Sequence, residues 1–131
     1  MLCLFPVASN YYICYLTTSF LRKGVLVMLI HLGSSKDFDQ IVKSNSLVLV
    51  DFFATWCGPC QMVSPLLEEI ANEHDDVVIL KVDTDDNIDL AERFGVMSIP
   101  TLLLFKDGKL ANKKVGFAPK ADLLSFIYQT K

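Results

Sequence analysis

From Met28 onward, apolar and charged positions interleave in two different rhythms. Leu47 to Phe53 reads LVLVDFF, a run interrupted only by Asp51, and such runs suit a strand buried on both faces of a sheet. Val77 to Val82 and Thr101 to Phe105 repeat that pattern, while Met28 to His31 predicts a short edge strand. Between these runs the apolar spacing changes to three and four. Ser34 or Ser35 caps a predicted helix through about Lys43, with Phe38, Ile41 and Val42 on one face, and Ser44-Asn45-Ser46 ends it. Pro59 opens a second helix, where its missing N–H costs nothing, and Met62, Val63, Leu66, Leu67 and Ile70 carry it to about Glu73. Pro65 lies inside this helix and is expected to kink it. Asn87 to Phe94 predicts a short helix stopped by Gly95. Asp107-Gly108 turns the third buried run into a further strand around Leu110 to Val115, and Ala121 to Tyr128 closes the chain with an amphipathic helix.

The order is therefore β-α-β-α-β-α-β-β-α. It predicts an α/β fold with a central mixed sheet of about five strands and helices on both faces. The 131 residues fit one compact domain, and a 52% hydrophobic fraction supplies its core without staples. A net charge of -3, with no basic run longer than Lys113-Lys114, argues against a nucleic-acid partner.

Residues 1–27 break the pattern. Their charges are Arg22 and Lys23, and no periodicity holds across them. A secretory signal would need a positively charged start and a small-residue cleavage site, both absent here. Residues 1–21 are about long enough to span a membrane, although Pro6, Ser9, Asn10 and the Thr/Ser cluster at 17–19 dilute their apolarity. The favoured expectation is a translated upstream region. Arg22-Lys23-Gly24-Val25 can be encoded by codons containing AAGGAG, a purine-rich bacterial ribosome-binding sequence lying just ahead of the Met28 codon. The domain is accordingly expected over 28–131, in a cytoplasmic bacterial protein.

The candidate chemistry lies at Trp56-Cys57-Gly58-Pro59-Cys60, since the other two cysteines, Cys3 and Cys14, fall in the leader. Two cysteines separated by two residues can hold a metal, form a structural bridge or exchange electrons. Cys57 follows a buried strand and begins a helix, where unpaired N–H groups and the helix dipole favour a thiolate, the species that attacks disulfides. Cys60 is one turn later, within reach of the first sulfur, and Gly58 and Pro59 add no bulk that would block a large partner. Asp51 needs its own explanation, because a carboxylate in a buried strand is costly unless paired or protonated.

Together these residues resemble the thioredoxin family across essentially all of 28–131. The resemblance rests on WCGPC, Asp51 in the preceding strand, Pro65, Ile99-Pro100-Thr101 and the glycine of Lys114-Val115-Gly116. It implies a protein dithiol–disulfide oxidoreductase that reduces target proteins through a mixed disulfide at Cys57, resolved by Cys60. Asp51 would move the Cys60 proton with Lys81 as its charge partner, and Pro100 would be cis. Trp56, Gly58, Pro59, Ile99, Pro100, Gly116 and Phe117 would form an apolar docking surface, with the Ile99 backbone pairing an extended substrate. No cofactor or metal would be bound. Electrons would come from NADPH through a thioredoxin reductase, and the partners would be that reductase and disulfide-containing proteins, met by a monomer. Phe53 and Gln61 depart from the family's commoner tryptophan and basic residue.

Two other classes compete. The cysteine pair could bind zinc, but no second CxxC or His pair completes four ligands. The domain could also serve as a structural subunit with incidental redox chemistry. His31 and His74 read as surface or edge residues, Asp83, Asp85, Asp86 and Asp89 as a solvated turn, and Met62 and Met97 as packing near the site.

Overall fold

The computed structural model describes residues 2–6, 12–15 and 28–128. In the leader, Leu2–Pro6 (β1) and Tyr12–Tyr15 (β2) pair antiparallel as a separate two-stranded sheet, with Cys3 opposite Cys14 in the ladder. The readings of 1–27 as signal, span or upstream translation otherwise fall outside the described residues. Among the described residues, no helix is long and apolar enough to cross a membrane.

The main sheet contains Leu29–His31 (β3), Leu47–Phe53 (β4), Val78–Asp83 (β5), Thr101–Lys106 (β6) and Lys109–Val115 (β7), in the spatial order β3-β5-β4-β6-β7. β3 and β4 run parallel to β5, and β6 runs antiparallel to both β4 and β7. β4 is thus hydrogen-bonded along both edges and covered on both faces, which is why its sequence is nearly all apolar. The sheet is mixed, as the element order predicts.

Phe38–Ser44 (α1) and Ile88–Arg93 (α3) cover one face, where Phe38, Ile41, Val42 and Leu90 pack on Val48, Val50, Phe52, Leu80 and Leu103. Gly58–Glu73 (α2) and Lys120–Tyr128 (α4) cover the other, where Val63, Leu67, Ile70, Leu123 and Ile127 pack on Leu49, Ile79, Leu102 and Leu104. The alternation of strand side chains sorts the two sets: Leu49 and Asp51 point toward α2, whereas Val50 and Phe52 point toward α1 and α3. Each such buried side chain contributes roughly 1.5–3 kcal/mol, so the two clusters dominate the fold's stability.

Local signals set the ends of these elements. Ser34 accepts a hydrogen bond from the Lys36 N–H at the start of a 3₁₀ turn, Ser35–Asp37, that leads into α1. The Asp107-Gly108 hairpin has φ of 50° and 80°, as a type I′ turn requires. α2 runs through Pro65 and continues to Glu73. α3 closes with Gly95 at φ 61°: its N–H donates to the Glu92 carbonyl and the Val96 N–H donates to the Ala91 carbonyl, a Schellman cap. That cap redirects the chain into the Val96–Pro100 loop, which leads to the site.

Candidate active site

Four loops converge at one end of the sheet. β4 and β5 are parallel, and Phe53 stands opposite Asp83, so both strands finish at the same edge. The Thr84 N–H and hydroxyl both donate to the Phe53 carbonyl, at 2.9 and 3.2 Å, tying the loop after β5 to the one before α2. β6 begins there as well, with Thr101 opposite Phe52 and Val115. The Gly116 N–H donates to the Pro100 carbonyl at 2.8 Å, which fixes the loop after β7 against the loop before β6. Gly116 adopts φ 90°, a left-handed conformation that suits glycine.

Cys57 is the N-cap of α2, and Pro59 sits in the helix's first turn, as the sequence predicts. The Cys57 and Cys60 sulfurs form a disulfide with a Cα–Cα separation of 5.3 Å. The Cys60 N–H donates to Cys57 Sγ at 3.3 Å, so one of the helix's unpaired N–H groups is aimed at this sulfur. The Ile99–Pro100 peptide is cis, and the Ile99 carbonyl lies 3.7 Å from Cys57 Sγ. Gln61 donates to the Thr55 carbonyl, bracing the loop ahead of the helix.

Exposure divides the site into a rim and a floor. Trp56 (71% exposed), Gly58, Pro59 and Phe117 stand out into solvent, Ile99 and Gly116 are partly buried, and Pro100 is buried. Cys57 is only 5% exposed, which corrects the expectation of an open attacking sulfur. Its neighbours are open while the sulfur is recessed among Ala54, Phe53 and Ile99. A partner must therefore fit its disulfide into this recess. Met97 corrects another expectation: it is 96% exposed and packs on nothing. Met62 is also exposed. Both belong to the surface around the site.

Within β4, Asp51 is fully buried and stands opposite Lys81 in the parallel ladder. The Lys81 ammonium lies 3.6 Å from the Asp51 carboxylate, whose oxygens receive no hydrogen bond from any described protein group. Burial pushes the Asp51 pKa up to about 6, with Lys81 opposing the shift in part. Lys81 also donates to Ser64 Oγ and sits 4.6 Å from the centroid of the Phe53 ring.

The structure thus brings Ile99 to the cysteine pair, ties Gly116 to Pro100, and pairs Asp51 with Lys81. It also shows two residues that sequence reasoning missed. Asp85 accepts a hydrogen bond from the Trp56 indole at 2.9 Å, and Ser64 holds Lys81. The bond to Trp56 corrects the expectation that Asp85 belongs only to a solvated turn with its acidic neighbours. The signal for Asp85 was its position two residues beyond Asp83, where β5 ends beside β4. His31 is exposed on the edge strand and His74 stacks at 5.3 Å on Tyr128, both away from the cysteines. Among the described residues, no group of three His, Cys, Asp or Glu side chains is arranged to hold a metal ion.

The thioredoxin family profile matches residues 29–129 of this sequence. The chain belongs to the thioredoxin family. A thioredoxin of Staphylococcus haemolyticus is 52% identical over 91 residues, covering 69% of this chain and 86% of that protein. A thioredoxin of Mycoplasmoides gallisepticum is 41% identical over 93 residues, covering 71% and 93%. Among solved structures, a variant thioredoxin from Halobacterium salinarum NRC-1 superposes with a TM-score of 0.74 at 36% identity, covering 79% of this chain and 90% of its own. The fold is accordingly the thioredoxin fold. Its activity is dithiol–disulfide exchange with other proteins, and Cys57–Cys60 is the redox-active pair.

Proposed function

We propose that this thioredoxin acts as a reductant, with Cys57 attacking and Cys60 resolving. In the reduced protein the Cys57 thiolate attacks one sulfur of a target disulfide, forming a mixed disulfide and releasing the other target sulfur as a thiolate. Cys60 then gives up its proton and attacks Cys57 Sγ. This closes the Cys57–Cys60 disulfide and releases the second target thiolate, which takes a proton from solvent. Two electrons have passed to the target. The observation that carries this order is the N-cap position of Cys57, where the Cys60 N–H and the start of a 16-residue helix stabilise a sulfur anion.

Asp51 is the group that accepts the Cys60 proton, with Lys81 as its charge partner. Its placement under α2 and its raised pKa, close to neutrality, suit a general base. Trp56, Gly58, Pro59, Ile99, Pro100, Gly116 and Phe117 form the docking surface. The Ile99 carbonyl beside Cys57 is placed to pair with an extended target segment. The oxidised pair is restored by NADPH through a thioredoxin reductase, and the chain itself carries no cofactor. We assign the working unit to residues 28–131, acting as a monomer in the cytoplasm, where that reductant is at hand.

The test is NADPH-linked reduction of insulin in the presence of a bacterial thioredoxin reductase. Steady NADPH oxidation that depends on this protein, and is lost in Cys57→Ser, is the expected result. A folded wild-type protein that supports no turnover overturns the reading.

A further inference from the structure

Ser64 lies four residues after Cys60 on α2, so the two share one side of the helix. Its hydroxyl accepts a hydrogen bond from the Lys81 ammonium, and the same nitrogen faces Asp51 at 3.6 Å and the Phe53 ring at 4.6 Å. The Lys81 and Asp51 side chains are 6% and 1% exposed. The ammonium is therefore shared among three groups in a nearly dry compartment, and its direct hydrogen bond goes to the neutral hydroxyl instead of the carboxylate. A buried ammonium deprived of its acceptor must find another, because leaving its donors unmade is costly. Asp51 is the nearest anion.

We propose that Ser64 is a positioning residue that holds the Lys81 ammonium back from Asp51 and so keeps the carboxylate a competent base toward Cys60. The inference rests on the reading of Asp51 as the proton acceptor. The raised Asp51 pKa agrees with the geometry, since burial outweighs the attraction of a cation that is held 3.6 Å away. Beside Asp51 in the sheet, β5 presents Lys81 and β6 presents the apolar Leu102 directly opposite, and α2, which carries Ser64, packs on the same face. Beyond Lys81, His31 on β3 stands at the same register, with its pKa lowered by burial and then by Lys81, while Glu68 of α2 acts on it in the opposite sense.

Because His31 is a second ionisable group coupled to Lys81, the test needs a signal specific to Asp51. Carboxyl-carbon NMR of the full oxidised chain, labelled at aspartate, follows Asp51 directly and is assigned with Asp51→Asn. In Ser64→Ala the midpoint should fall by roughly one pH unit, as expected when a cation moves into direct contact. Ser64→Thr, which retains the hydroxyl, should titrate as wild type. An unchanged midpoint in folded Ser64→Ala, or an equal fall in Ser64→Thr, overturns the assignment. Rapid-mixing rates of insulin reduction against pH provide the second readout. The Ser64→Ala rate should fall about threefold at neutral pH with its acid limb displaced downward. If Asp51→Asn leaves that limb in place, the proton-acceptor reading fails and the role of Ser64 in exchange fails with it. If Asp51→Asn removes the limb and Ser64→Ala does not move it, only the role of Ser64 is lost.

Discussion

The Lys81 ammonium lies 3.6 Å from the Asp51 carboxylate but gives its hydrogen bond to Ser64. Asp51 is therefore a buried acid with a cation nearby and no direct bond from it. The consequence for stability has a definite sign. Burial raises the Asp51 pKa from 3.8 to about 6, so between these values the folded protein binds more proton than the unfolded chain. Stability is favoured by this group at acid pH, falls as pH rises through that window, and stays reduced above it. The displacement corresponds to about 3 kcal/mol. Oxidised Asp51→Asn should thus be more stable than wild type by about 2–3 kcal/mol near pH 8, with the difference shrinking toward pH 4. Urea denaturation at the two pH values measures it.

Trp56 is the chain's single tryptophan, and its indole is anchored to Asp85 at 2.9 Å. An exposed aromatic held by one bond keeps its face toward a partner at little entropic cost. Asp85→Ala should free it, lowering the fluorescence anisotropy of the tryptophan and raising KM for a protein disulfide about threefold, the effect of losing roughly 0.7 kcal/mol of ordering. Stability should change by less than about 1 kcal/mol, since the bond is exposed.

Met97 projects from the loop two residues before Ile99, whose carbonyl faces Cys57. A flexible, polarisable side chain at this position suits a surface that meets many partners. Met97→Asp should lower kcat/KM for insulin several-fold while leaving the reaction with a small disulfide unchanged. Its stability should lie within about 0.5 kcal/mol of wild type, as for an exposed site. Parallel assays with the two substrates separate docking from chemistry.

Arg93 joins α3 to α1 through two bonds to Asp39, at 2.9 and 3.0 Å, and its guanidinium lies 5.0 Å from the centre of the Phe94 ring. Both partners of the ion pair are half exposed, so it should be worth about 0.5–1 kcal/mol in a double-mutant cycle and less at high salt. Arg93→Ala should cost more than Asp39→Ala, because it also uncovers Phe94 and Phe38.

Most of the fold was legible because β4, β5 and β6 are buried on both sides and leave unbroken apolar runs. Helix periodicity marked α1 and α2, and Gly95 and Asp107-Gly108 marked their turns by conformations that few other residues adopt. The cysteine pair and Asp51 stood out because their chemistry conflicts with their surroundings. Ser64, Asp85 and the exposure of Met97 carried no such conflict. A serine on a helix and an aspartate in a turn are ordinary, and only the register of β4 against β5 brings Lys81 to Ser64 and Asp85 to Trp56. The cis geometry of Pro100 followed from resemblance, since no local pattern distinguishes it from a trans turn. The recess around Cys57 also escaped the sequence, because it depends on Ile99, from the loop before β6, packing beside Phe53 and Ala54 at the end of β4.

The central claim is that Cys57 attacks and Cys60 resolves. It is tested most directly by incubating the reduced Cys60→Ser protein with oxidised insulin and mapping any covalent adduct by mass spectrometry. A stable mixed disulfide through Cys57, absent when Cys57→Ser is used instead, is the predicted result. An adduct that forms equally well through Cys60 in the Cys57→Ser protein would contradict it.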